Sequence, residues 1–233
     1  MLQAQQSIGG IGQLALDAMI NSLGDEVLKV GCFISRDVLP AAGNDGRESA
    51  SPGQLATSAE LYFQSPSRFF LLFRAPTVPG RGRSLAADLA AWVKERGVRR
   101  VMVLGSFPAL FQSMQMYGLD AGAGAGGEGC GIQGTAWSPR SSPDQASASC
   151  PLLGEWSQGS ERWQQANIAR LDTERASDRP EEERRCAPWP LLYQFREHEI
   201  PYVALLKPTT EGNNTLEGLQ MYRAAFVLLA RTS

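Results

Sequence analysis

Residues Ser84–Leu104 read SLAADLAAWVKERGVRRVMVL, and this stretch decides the fold class. Ser84 is a natural N-cap, and Leu85, Leu89, Trp92 and Val93 recur on one face of a helix running to Arg96. Gly97 stops the helix, and Val101-Met102-Val103-Leu104 follows as an unbroken apolar run. A strand with no polar alternation is covered on both faces, as parallel strands inside α/β sheets are. A strand, helix and strand in this order predict right-handed crossovers in a mostly parallel sheet.

The same reading extends outward on both sides. Towards the N-terminus, Ala59–Phe63 and Phe69–Phe73 are two strands joined by the turn Ser65-Pro66-Ser67. Val27–Ile34 is a short apolar run suited to a buried strand. Before it, Gly9, Gly10 and Gly12 open a tight turn into an amphipathic helix carrying Leu14, Ala15, Ala18, Met19 and Leu23. Towards the C-terminus, residues 121–159 are rich in Gly, Ser, Ala and Pro and predict a disordered insertion that the fold can spare. Residues 161–185 are polar and charged and suit a surface segment. Order returns with a helix from Leu191 to Glu197, a strand at Val203–Leu206, a loop at Glu211–Asn214 and a last helix over Leu216–Leu229. Leu219, Tyr222, Ala225, Phe226, Leu228 and Leu229 make that helix apolar on more than one side, so it should pack on the sheet and also meet a partner. Residues 1–233 therefore read as a single α/β domain holding one insertion.

Composition narrows the function. The 233 residues carry a formal net charge of -2 and 43% hydrophobic residues, which points to neither nucleic acid nor an anionic membrane as partner. No stretch approaches the ~18 apolar residues of a membrane helix, and no signal-peptide pattern opens the chain, so cytoplasm and nucleus are the expected compartments. Cys32, Cys130, Cys150 and Cys186 are scattered without a C-x-x-C pair, and His198 is the single histidine. Reduced thiols are expected, and no metal site.

Gly10-Ile11-Gly12-Gln13-Leu14-Ala15 fits the dinucleotide pattern G-x-G-x-x-A at a helix entrance. Yet Met1–Gln6, the only room for a preceding strand, is polar, and the acidic residue expected about 20 positions on has no counterpart. The glycines are better explained by a sharp turn and close helix–sheet packing. There is no G-x-S-x-G elbow, and His198 sits in the charged run Arg196-Glu197-His198-Glu199, a solvated helix end. Glu181-Glu182-Glu183 beside Arg184-Arg185 is a solvent-facing charge run, and Arg81, Arg83, Arg96, Arg99 and Arg100 form a small basic patch without a specific ligand. Neither an enzyme nor a cofactor is expected; the rival reading is a nucleotide- or small-molecule-binding enzyme built on Gly9–Gly12.

Three segments together resemble the proteasome assembly chaperone 2 family. The first is Ser7-Ile8-Gly9-Gly10-Ile11-Gly12-Gln13-Leu14-Ala15-Leu16-Asp17, continuing through Val30-Gly31-Cys32-Phe33 to Gly43-Asn44. The second comprises Ala59-Glu60-Leu61-Tyr62, Pro66-Ser67-Arg68, Trp92-Val93-Lys94 and Arg100–Leu104. The third is Val203-Ala204-Leu205-Leu206-Lys207 followed by Glu211-Gly212-Asn213-Asn214. The resemblance implies a three-layer α/β/α sandwich like that of nucleoside phosphorylases, without their catalytic equipment. It implies a heterodimer with a chaperone 1-like partner, a role in assembling the 20S proteasome α-ring beside its α subunits, and no cofactor. Within the last helix Tyr222, Phe226 and Leu229 are the expected partner-binding residues, since buried aromatics commonly dominate interfaces. Three departures stand beside the likeness: a short first strand, Cys186-Ala187-Pro188-Trp189-Pro190 where the family has a glycine-rich segment, and an end at Arg231-Thr232-Ser233 without the hydrophobic-Tyr-X tail of some members.

Overall fold

An eight-stranded sheet with the order β2-β5-β6-β1-β7-β10-β8-β9 runs through the centre of the computed structural model, which describes residues 2–4, 8–45, 47, 53–109, 131–137, 161–170 and 188–229. In chain order the elements are β1 (Leu2–Ala4), α1 (Ile11–Leu23), β2 (Val27–Cys32), β3 (Ala42–Asn44), β4 (Leu55–Thr57), β5 (Ala59–Gln64) and β6 (Arg68–Phe73). There follow α2 (Gly82–Glu95), β7 (Val101–Pro108), β8 (Ile132–Trp137), α3 (Glu161–Gln165), β9 (Ile168–Arg170), α4 (Trp189–Glu197), β10 (Tyr202–Thr209) and α5 (Thr215–Leu229).

The strands inferred from apolar runs lie at the heart of this sheet. β7 and β10 pair in parallel over their full eight residues, from Tyr202 opposite Val101 to Thr209 opposite Pro108. Every residue of β10 is buried, as are seven of the eight in β7. Both strands need cover on two sides, and helices supply it. On one face α1 and α5 bury Ile11, Leu16, Met19, Met221 and Leu228 against Met102, Leu104, Val203 and Leu205. On the other, α2 and α4 bury Leu85, Leu89, Val93, Leu192 and Phe195 against Val101, Val103, Ala204 and Leu206. At about 25 cal/mol per Å² of apolar area removed from water, these two clusters are the main stabilising term.

The sheet is mixed and not mostly parallel. Parallel pairing holds for β6-β1-β7-β10 and for β8-β9, whereas β2-β5, β5-β6 and β10-β8 are antiparallel, as is a separate β3-β4 ribbon. The cause lies in the connections. Three turn residues at 65–67 join β5 to β6, and so short a link can close only an antiparallel pair.

Three further expectations change. The polar start does form a strand: β1 sits between β6 and β7 with Leu2 opposite both Phe70 and Met102, held by a backbone ladder on each side. Val27–Ile34 is not a buried strand: β2 is the sheet edge, and Leu28, Val30 and Ile34 stand 63%, 52% and 89% exposed. The segment 121–159 is not one disordered insertion. Its residues Ile132–Trp137 are β8, paired along β10 from Gln133 opposite Leu206 to Trp137 opposite Tyr202, with Ile132–Thr135 buried. A glycine- and serine-rich neighbourhood hides the strand formers Ile132, Thr135 and Trp137. Residues 121–130 and 138–159 lie outside the described part of the chain. Of 161–185, the described residues form α3, with Trp163 buried, and β9.

Candidate functional site

Gly9 and Gly10 adopt left-handed φ of 72° and 62° and turn the chain into α1. A Cβ at Gly12 would overlap the Leu104 carbonyl, with its carbon at 2.8 Å, so this glycine lets α1 lie directly on β7. A Cβ at Gly9 would overlap the Asn214 amide. Asn214 is buried and donates from Nδ2 to the Thr210 carbonyl at 3.2 Å and the Gly212 carbonyl at 3.1 Å, while the Thr209 hydroxyl donates to its Oδ1 at 3.0 Å. The glycine turn thus meets the chain's own β10–α5 loop where a dinucleotide would need room.

The main polar cluster joins α1 to the β2-β5-β6 side of the sheet. Arg74, just past β6, donates from Nη2 to Asp17 Oδ1 at 2.8 Å, from Nη1 to Asp17 Oδ2 at 3.1 Å and from Nε to Glu60 Oε2 at 2.7 Å. The Glu60 side chain is fully buried and also accepts from the Lys29 ammonium, the Tyr62 hydroxyl at 2.8 Å and the Thr57 N–H at 3.1 Å. Burial works against the Glu60 charge, but hydrogen bonds from Arg74, Lys29 and Tyr62 outweigh it and hold the carboxyl below the ordinary glutamate range. For Asp17 burial prevails over the Arg74 charge and raises the pKa. Burial and the Glu60 carboxylate push the Tyr62 phenol up. Lys29 also donates to the Leu55 carbonyl at 2.7 Å, and the Arg47 guanidinium, paired with Asp45, lies 4.9 Å from the Tyr62 ring centroid. Both carboxylates and the Arg74 guanidinium are paired, the buried Thr57 hydroxyl has no hydrogen-bond partner among the described residues, and the cluster ties the β3-β4 ribbon and α1 to the sheet.

His198 ends α4, its N–H bonded to the Gln194 carbonyl at 2.9 Å. Among the described residues no group of three or more His, Cys, Asp or Glu could hold a metal ion, and no helix is long and apolar enough to cross a membrane. The five arginines do not form one patch. Arg81 and Arg83 stand at the start of α2 and Arg96, Arg99 and Arg100 beyond its end, separated by a 14-residue helix about 21 Å long.

The structure brings two of the three expected interface residues together. Tyr222 and Phe226 lie one turn apart on α5 with ring centroids 6.0 Å apart, and the Tyr222 hydroxyl donates to Ser22 Oγ at 3.3 Å. Phe226 is 50% exposed, whereas Leu229 leans against the core cluster shared with α1. Leu216 and Leu219 are exposed as well and extend the stripe towards the helix start. Their spacing from Phe226, ten and seven residues, was the available signal for one helical face.

Fold and site together define an α/β scaffold whose polar side chains hold its elements in place and whose outer surface carries exposed apolar stripes. The chain belongs to the PAC2 family, whose profile matches residues 1–232. It is 35% identical over 106 residues to proteasome assembly chaperone 2 of Nematostella vectensis, a match covering 44% of this chain and 43% of that protein. It is 32% identical over 110 residues to proteasome assembly chaperone 2 of Homo sapiens, covering 46% and 40%. The matched stretch is thus less than half the length of these relatives. Among solved structures, the Pyrococcus furiosus protein PbaA, described as an archaeal homolog of proteasome-assembly chaperone, superposes with a TM-score of 0.63 at 11% identity, covering 100% of this chain and 78% of that one. A PAC2 family protein from Streptomyces avermitilis gives 0.55 at 15% identity, covering 98% and 85%. At such identities these two likenesses concern the fold alone.

Proposed function

We propose that this protein is a chaperone subunit that heterodimerises with a chaperone 1-like partner and promotes assembly of the 20S proteasome α-ring in cytoplasm and nucleus. On this reading residues 1–233 act as a single α/β/α domain, a phosphorylase-like frame without catalysis or cofactor. Membership of the PAC2 family and the proteasome assembly chaperones among its relatives support it. The observation on the molecule that carries it is the exposed stripe Leu216, Leu219 and Phe226, backed by Tyr222. Contiguous exposed apolar surface of this kind marks an interaction site on a folded protein. Tyr222 and Phe226 are the anchors, with Leu229 stiffening the helix behind them.

Co-expression with a chaperone 1-like subunit and proteasome α subunits tests the proposal. Wild type should co-elute with both, and Phe226→Asp should lose the chaperone partner with little change in melting temperature. Recovery of the chain without either protein would overturn it. The rival nucleotide-binding reading predicts stabilisation by about 2.7 kcal/mol at a hundredfold ligand excess over Kd; no shift with any nucleotide is expected, because Asn214 occupies the approach to Gly9.

A further inference from the structure

On the sheet face that α2 covers, the helix stops short of β2 and leaves a groove. Val30, Gly31, Cys32, Phe33, Leu61, Phe69, Trp92, Arg96 and Val98 line it, with a volume of about 420 Å³. Phe33 stacks edge-on against Trp92 at 5.9 Å and against Phe73 at 6.0 Å, so the floor is fixed by the core beneath it. Val30 in its wall stands exposed, as do Leu28 and Ile34 nearby along the chain.

We infer that this groove docks an amphipathic helix of a second protein chain, one that sets carboxylates beside its apolar ridge. The inference rests on the proposed chaperone role and adds to it a second docking surface, on the opposite sheet face from the α5 stripe. Two observations choose the occupant. Edge strands invite pairing with an added strand, but pairing of β2 slips between Lys29 and Gly31, and such a bulge breaks the regular ladder a docking strand would extend. Side chains entering the groove, and not backbone joining the edge, must then supply the contact, as when a helix lays its apolar face in a cleft.

Charge supplies the second observation. Residues 94–99 hold Lys94, Arg96 and Arg99 against Glu95 alone. Arg96 lines the groove, and neither Arg96 nor Arg99 forms an ion pair within the described residues. A second copy of this chain would bring the same cations face to face, whereas a partner with acidic flanks complements them.

Val30→Asp and Arg96→Glu test the inference in the full chain co-expressed with the chaperone 1-like subunit and the α subunits, with Phe226→Asp as the marker of the α5 surface. Both positions border solvent, so melting temperatures should stay within a few degrees of wild type. Each substitution should weaken one of the two partners at least tenfold and spare the one that Phe226→Asp removes. A charge-reversed helix on the lost partner should restore binding to Arg96→Glu. If both variants hold both partners as wild type does, the groove is not a docking site. If Val30→Asp weakens binding and Arg96→Glu does not, the acidic occupant is wrong. Wild type that holds neither partner overturns the proposed function, and this inference with it.

Discussion

Arg74→Met is the most demanding perturbation of the fold. Arg74 is the cation between two carboxylates, with two hydrogen bonds to Asp17 and one to Glu60, whose side chain has no solvent exposure. Methionine keeps much of the stem and removes the charge. Breaking a buried pair from one side costs about 3–5 kcal/mol, because the remaining charge is left uncompensated. Glu60 retains Lys29 and Tyr62, which places the expected loss at the lower end, about 3 kcal/mol. At roughly 2–4 °C per kcal/mol for a chain of this size, melting should fall by about 6–12 °C. Urea unfolding and thermal melts at neutral pH measure this. The double variant Arg74→Met/Glu60→Gln should recover at least about 0.5 kcal/mol, since residues sharing a network couple by that much or more. A loss below about 1 kcal/mol, the worth of an exposed ion pair, would refute the reasoning, as would a double variant that adds the two single costs.

Three further outcomes follow from the same geometry. Gly12→Ala should cost about 1–3 kcal/mol by overpacking, because the new methyl meets the Leu104 backbone and not a flexible side chain; circular-dichroism melts measure the loss. Glu60 titrates below its ordinary value, so its stabilisation is present above about pH 4.3 and is lost as pH falls through the lower folded value, while Asp17, titrating above its ordinary value of about 3.9, returns stability over its own window; Glu60→Gln should flatten the acid limb of a stability–pH curve. Replacing residues 132–137 with a Gly/Ser linker should abolish the cooperative melt, because it removes a strand between β10 and β9, and an unchanged melting curve would show β8 to be dispensable.

What could be read from the sequence divides along physical lines. The central strands and the helices over them were legible because their signals are local: the helical spacing of Leu85, Leu89 and Val93, and the unbroken run at Val101–Leu104. β1 was missed because its place comes from two neighbouring ladders and not from its own residues. β8 was missed because composition averaged over 121–159 drowned Ile132, Thr135 and Trp137. The exposure of β2 was illegible for a different reason. An apolar run looks the same in the centre of a sheet and at its edge, and only strand order tells them apart. The Arg74 network was equally hidden, since Asp17 and Arg74 stand 57 residues apart and meet only in three dimensions.

That last difference bears on function. In open α/β sheets ligands commonly settle beyond the C-terminal ends of the parallel strands. Here, among the described residues, Gly9 and Asn214 meet each other at that end, and the carboxylates of the polar cluster beside it are paired with Arg74 and Lys29. The apolar surface left over lies elsewhere, along α5 on one sheet face and beside β2 on the other. On the proposed function, two exposed surfaces on opposite sheet faces would let the protein hold two others at once. Such a role calls for a stiff frame, and buried hydrogen-bonded networks like that of Arg74 and Glu60 supply stiffness of that kind.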